Sequence, residues 1–259
     1  MNYETITHEK EDYVSIIRLN RPDKRNAINK KMGEELINAL EDAGNDNEIR
    51  AVIITGGTEV FSAGADINDS PSPRDLGYRV SPKKFHLYYH LIEDMGKPVV
   101  AAIAGYCLGG GLELAATCDI RIAAENAIIG DAHSKIGVIG GGGSCQRLTR
   151  LIGIAKTKEL VFTGDSIDAF EAYRIGLVNK VVPVDDLFSE SKKLASLMKE
   201  RPPLVIKLAK MAIDDGIQMS LAQALDYQAK CAAIAQLSED AQEGRRAFLE
   251  KRKPRFKGR

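Results

Sequence analysis

From Val99 to Ala116 the chain passes from an unbroken apolar run, VVAAI at Val99 to Ile103, into a helix-forming LELAA segment, with Gly109, Gly110 and Gly111 between the two. The apolar run predicts a buried strand and the glycines a turn, so strand becomes helix through residues without side chains. Such residues let a ligand approach the backbone closely, and the first N–H groups of a helix have no partner inside it. A helix start of this kind stabilises negative charge. Glu113, three residues after Gly110, puts a carboxylate near the face above those N–H groups. A carboxylate beside an anion hole is suited to proton transfer next to a carbonyl. The spacing fits equally well a glycine-rich helix start that serves only close helix packing. A nucleotide-phosphate loop is disfavoured, because neither GxGxxG nor GxxxxGK[ST] is present and Glu113 would repel phosphate. The stretch from Ile103 to Gly143 is therefore the part around which the chain is organised.

The 259 residues suffice for one large core with a small appended domain. Thirty-six basic residues balance thirty-six acidic ones, so bulk charge argues for neither nucleic acid nor membrane as a partner. Only the tail from Lys251 to Arg259 is distinctly basic. No apolar run approaches the ~20 residues needed to span a bilayer. The first residues, MNYETITHEKED, lack the character of a signal or transit peptide, and a cytoplasmic protein is the expectation. Cys107, Cys118, Cys145 and Cys231 show no CxxC spacing and read as buried thiols rather than metal ligands or disulfides.

Strands are expected at Tyr3 to Thr7, Tyr13 to Leu19, Ala51 to Thr55, Cys118 to Ala123 and Leu177 to Val182. Helical spacing of Met32, Leu36, Leu40 and Ala43 predicts a helix from Asn29 to Ala43. Between them, Asn20-Arg21-Pro22-Asp23 is a turn signal that leaves Lys24 and Arg25 on a loop, where two charges suit a phosphate-rich ligand or simply solvent. The FSAGADI segment, Phe61 to Ile67, leaves backbone uncovered at Ala63, Gly64 and Ala65. Asp69 to Arg79 reads as a mobile loop. Ser81-Pro82 would then start a helix to about Met95, with Phe85, Tyr88, Tyr89 and Ile92 as its apolar stripe. His86 and His90 share another face of it, but without a third ligand nearby they read as surface or pocket-lining residues rather than a zinc site. Ile129 to Gly143 reads as a glycine-rich loop, with helices at Ser144 to Leu151, Ile154 to Phe162 and Ser166 to Ile175. After Asp185 everything looks helical, broken at Pro202-Pro203, Asp215-Gly216 and Ser238. Mixed strands and helices followed by helices alone indicate an α/β core with a helical tail.

In LNRPDKRNAI at Leu19 to Ile28, FSAGADI, KPVVAAIAGYCLGGGLELAATCDIRIA at Lys97 to Ala123, QRLTRLIG at Gln146 to Gly153 and EGRRAFLEKRKPRFKGR at the end, the chain resembles the crotonase family of enoyl-CoA hydratases and isomerases. The resemblance implies an α/β spiral of ββα units over about residues 1–200, closed by a helical trimerisation region over about 201–259. It implies homotrimers that pair into hexamers and an acyl-CoA thioester substrate, with coenzyme A as part of the substrate and no metal or other cofactor.

By the same resemblance, the N–H groups of Ala65 and Gly110 form an oxyanion hole and Glu113 is the general acid/base. Lys24, Arg25, Ala27, Ala63, Asp66, Ile67 and Lys251 lie along the coenzyme A moiety, Lys251 reaching its phosphate from the tail. Phe61, the loop from Asn68 to Arg79 and the helix carrying Tyr88 and Tyr89 are expected to shape the acyl end.

Family hydratases commonly use a second glutamate, and the position that matches it is His133. His133 then either shares acid/base work with Glu113, leaves that work to Asp131, or only lines the pocket. The departure also admits another thioester-enolate reaction, namely isomerisation, decarboxylation or thioester hydrolysis. Hydration or dehydration of an enoyl-CoA is the leading expectation, and a catalytically silent acyl-CoA-binding or RNA-binding relative is the non-enzymatic alternative.

Overall fold

The structure, a computed structural model, describes residues 3–69 and 87–258. Its larger sheet has six strands in the order β1-β2-β3-β5-β7-β10, and its smaller one has four in the order β4-β6-β8-β9. The strands are β1 (Ile6–Glu11), β2 (Val14–Leu19), β3 (Ala51–Thr55), β4 (Val60–Ser62), β5 (Val99–Ile103), β6 (Tyr106–Leu108), β7 (Ile120–Ala124), β8 (Ile128–Gly130), β9 (Ser166–Asp168) and β10 (Lys180–Val182). Apart from the antiparallel pairs β1/β2 and β8/β9, neighbours run parallel.

Every residue of β3 and β5 is buried, as parallel strands covered on both faces require. Val52, Ile54, Val99, Ala101 and Ile103 pack on one side of the large sheet and Ala51, Ile53, Val100 and Ala102 on the other. Helix α1 (Lys30–Asn45) covers the first side with Met32, Leu36, Leu40 and Ala43, and its start is capped by Asn29, whose side chain accepts from the Met32 N–H at 2.9 Å. Further along are α2 (Leu87–Asp94), α3 (Gly110–Thr117), α4 (Ser144–Thr163), α5 (Ala169–Arg174), α6 (Leu187–Lys199), α7 (Pro203–Gly216), α8 (Leu221–Leu237) and α9 (Glu239–Leu249). Leu187 and Ala195 of α6 cover the second side.

The pairs β3/β4, β5/β6 and β7/β8 each send their first strand to the large sheet and their second to the small one. Because β4, β6 and β8 are parallel neighbours, their C-terminal ends lie at one edge of the small sheet. Three successive turns of the chain therefore deliver three loops to one place: Ala63 to Ile67, Gly109 to Gly111, and Asp131 to His133.

Several elements differ from the sequence expectation. Ser166 to Ile175 is not one helix, because its first three residues pair with β8 and only Ala169–Arg174 is helical. The segment read as a loop from Ile129 contains the end of β8 and a 3-10 turn at His133–Ile136. Around Gly153 the expectation holds: two helices meet there across a kink, where the glycine takes the non-helical angles φ 78° and ψ 164°. The expected loop to Arg79, the Ser81-Pro82 helix start, Phe85 and His86 lie outside the described residues, save for Asp69, which ends a 3-10 turn.

Candidate active site

Gly109 caps α3 with φ 50° and ψ −116°, a conformation that penalises residues with a Cβ. It turns the chain so that the start of α3 meets the loop after β4. A Cβ on Gly110 would stand 3.2 Å from the Ala65 nitrogen, and one on Gly111 would collide with Ser62 at 2.7 Å. Gly111 thus permits close packing, and Gly110 brings its backbone beside that of Ala65. Among the described residues, neither the Ala65 nor the Gly110 N–H has a backbone acceptor. Tyr89 fixes the far side of this helix start, its hydroxyl donating to the Gly110 carbonyl at 3.2 Å. Phe61, expected at the acyl end, is instead fully buried in the core, because β4 directs it inward.

Glu113 is 3% exposed, one turn into α3. The Ser144 N–H at the start of α4 donates to its Oε1 at 3.1 Å. Cβ atoms on Gly140 and Gly142 would come within 2.6 and 2.5 Å of its oxygens, so the glycine loop before α4 is closed directly over the carboxylate. Burial raises the Glu113 pKa; the His133 charge and the Ser144 N–H offset part of that rise.

His133 stands opposite. The same Gly140 position would touch its Cε1 at 2.8 Å, and a Cβ on Gly109 would lie 3.5 Å from its Nε2. Imidazole and Glu113 carboxylate therefore face one small space beside the α3 start. The ring's Nδ1 is 2.6 Å from Asp131 Oδ1, and that hydrogen bond, working against burial, raises the His133 pKa. Burial pushes the Asp131 carboxyl up, but the hydrogen bond with His133 and the nearby Ser144 hydroxyl outweigh it and leave the carboxyl below its ordinary value. Ser144 Oγ and Asp131 Oδ2 are nevertheless the buried side-chain polar atoms without a hydrogen-bond partner among the described residues.

Six of the seven residues expected along coenzyme A fall on two strips of backbone tied side by side. The Ala63 N–H donates to the Arg25 carbonyl at 2.9 Å, Ile28 to Gly64 at 2.8 Å, and Asp66 to Ile28 at 2.9 Å. Lys24, Arg25 and Ile67 are exposed along them and Ala27 and Ala63 half-buried, while Asp66 is held by Arg21 at 3.0 Å. Asn26, which sequence reasoning passed over, pins the strips together: its side chain accepts from the Arg21 N–H and donates to the Val60 carbonyl. The seventh, Lys251, is exposed just past α9 at φ 52° and makes no ion pair among the described residues. The tail beyond it is tied down by buried Asp240, which accepts from the Lys257 and Gly258 N–H groups, and by Glu243, which pairs with Arg252.

His90 pairs with Glu93 at 3.4 Å, and no group of three or more potential metal ligands occurs among the described residues. All four cysteines are free thiols. No helix among the described residues is long and apolar enough to cross a membrane.

The profile of the enoyl-CoA hydratase/isomerase family matches residues 9–259. A probable enoyl-CoA hydratase of Mycobacterium bovis and a crotonyl-CoA hydratase of Syntrophomonas wolfei are each 41% identical, with 99% of both chains covered. The crystal structure of an enoyl-CoA hydratase from Bacillus anthracis superposes with a TM-score of 0.94 at 37% identity, over 99% of this chain and 100% of that one. These matches run over nearly the whole chain, and this chain belongs to the enoyl-CoA hydratase/isomerase, or crotonase, family.

Proposed function

We propose that the protein hydrates an enoyl-CoA, or runs the reverse dehydration, with Glu113 and His133 as its proton-transfer pair. The observation that carries this reading is that carboxylate and imidazole face one space beside the Ala65 and Gly110 N–H groups. The thioester oxygen rests on those two N–H groups. Glu113, its basicity raised by burial, takes a proton from water as the water oxygen bonds to C3. The C2=C3 electron pair moves toward the thioester oxygen, where each donor is worth about 3 kcal/mol to the enolate. His133, whose basicity the Asp131 hydrogen bond raises, delivers a proton from its charged form to C2. Proton exchange between Glu113 and His133 then restores both, so the net change is the addition of one water.

Lys24, Arg25, Ala27, Ala63, Asp66 and Ile67 cradle the coenzyme A moiety in this proposal, and Lys251 meets its phosphate. The groups used all belong to the chain, the substrate or water, with no metal or further cofactor. The place of work is the cytoplasm.

The test is turnover of crotonyl-CoA followed as loss of the conjugated enoyl absorbance, then an acyl-CoA panel with product analysis. A 3-hydroxyacyl-CoA product is expected. Shifted double bonds, decarboxylated products or free acids would replace hydration by another reaction at the same site, and binding without turnover on every ester would sink the enzymatic reading.

The tail helices support an oligomer, with residues 201–259 as the trimerisation region. Ile213, Leu221 and Leu237 are 69%, 76% and 82% exposed on α7 and α8, apolar surface that a subunit interface would cover. Light scattering is expected to give a trimer or hexamer mass. A monomer at working concentration would contradict it.

A further inference from the structure

We infer that Asp131 is a positioning residue for His133: it fixes the ring's tautomer and rotation, so that Nε2, which lies beside the Gly109 turn at the start of α3, is the proton-delivering atom. The inference rests on the reading of His133 as a proton donor and adds a residue that acts only through it.

Asp131 follows β8 directly and is 1% exposed, so its charge has little water to stabilise it. One carboxylate oxygen, Oδ1, accepts twice from the same residue: from the His133 backbone N–H at 3.2 Å and from the ring at Nδ1, 2.6 Å away. The first contact fixes where the 3-10 turn begins and the second fixes the rotation of the ring. An ionised carboxylate is only an acceptor, so Nδ1 carries a proton in both forms of the imidazole. Nε2 is then the atom whose proton comes and goes. It is also the atom on the side of Gly109, away from Asp131.

Charge points the same way. Glu113 and Asp131 are both buried, and two carboxylates sharing so small a volume would repel without a cation between them. His133 supplies that cation. Among the described residues, the other charged groups near the ring are already engaged: Arg147 of α4 with Glu93 at 2.6 Å, and Lys135 on the same 3-10 turn with Asp165 at 3.2 Å. Tyr89 of α2 stays neutral, its hydroxyl pKa raised well above the ordinary value by burial. The Ser144 N–H donates to Glu113, while its hydroxyl lies near Asp131 without a hydrogen-bond partner among the described residues. Among the described residues, Asp131 and Glu113 are therefore the charges that act on the ring's protonation.

The experiment is a pH titration of 15N-histidine-labelled protein by NMR, feasible because the chain has only four histidines, with His133→Gln assigning the signal. In the unsubstituted protein His133 is expected to titrate above the ordinary value of 6.5, with Nδ1 protonated in the neutral form. Asp131→Asn keeps size and an acceptor oxygen but removes the charge. It should lower the midpoint by about one pH unit or more and shift the alkaline limb of kcat/KM down equally. On the best acyl-CoA substrate kcat should fall at least ~10-fold with KM within ~2-fold. In the His133→Gln background the same change should move kcat by less than ~2-fold, since the residue acts through the ring.

An unmoved midpoint, or an equal loss of kcat in both backgrounds, would overturn the inference. If Asp131→Asn does not fold, the titration of the unsubstituted protein still decides, because a midpoint at or below 6.5 rejects it. The NMR arm needs no substrate, so a failure of the hydratase reading leaves this one separately testable.

Discussion

Replacing Glu113 by Gln is expected to lower turnover on the best acyl-CoA substrate by ~100-fold or more while leaving affinity for the ester within a few fold. The substitution keeps the shape of the side chain and an oxygen to accept the Ser144 N–H, so the loop over it has no reason to move. What disappears is the group that takes and returns a proton. The charge that helps hold His133 protonated goes with it, so the His133 titration should shift to lower pH.

Stability should move in the opposite direction to activity. Burial raises the folded-state pKa of Glu113, which means the fold disfavours the ionised form. That penalty is fully present above the raised value and fades as pH falls through it. Glu113→Gln should therefore melt at the same temperature as the parent or higher at neutral pH, with the difference vanishing in acid. Unchanged turnover would remove Glu113 from the mechanism. A lower melting temperature would show that the carboxylate is structural.

Much of this frame is legible in the sequence because it is written in local patterns. Five consecutive apolar residues at Val99 can only be a buried segment, and the spacing of Met32, Leu36 and Leu40 can only serve one face of a helix. The elements that escape such reading depend on distant partners. Ser166–Asp168 is a strand only because Ile128–Gly130 lies beside it, and three residues carry too little periodicity to announce that pairing. Phe61 cannot be assigned to core or pocket until the side of β4 that faces inward is known. Asp131 and His133 are two residues apart, a spacing that puts side chains on different faces of a helix and about 7 Å apart on one face of a strand; the turn after β8 brings them within hydrogen-bond distance. The glycines at 140 and 142 read as an ordinary loop in sequence, yet the structure gives them a specific neighbour, the Glu113 carboxylate, which any Cβ there would strike.

Gly110→Ala tests the other half of the proposed chemistry, the pair of N–H groups. Gly110 is the first residue of α3 and has none of the positive φ that strains a residue with a side chain, so alanine suits the backbone there and improves helix propensity. The added methyl group would nevertheless stand 3.2 Å from the Ala65 nitrogen and 3.6 Å from the Gly64 carbonyl carbon, beside the N–H groups assigned to the thioester oxygen. That approach is tighter than van der Waals contact normally allows. Either the loop after β4 moves back by a few tenths of an ångström or the methyl group takes space the oxygen would use. Both outcomes spoil the position of at least one donor, and losing one such donor costs about 100-fold in kcat. Because the effect arises when charge develops on the oxygen, kcat should fall far more than KM rises, and the melting temperature should hold or increase. Steady-state kinetics on the best acyl-CoA substrate, paired with thermal unfolding, reads both quantities. Full activity in Gly110→Ala would mean that the thioester oxygen is held elsewhere, whereas a loss of activity matched by a loss of stability would mean that the glycine serves packing alone, as Gly111 does against Ser62.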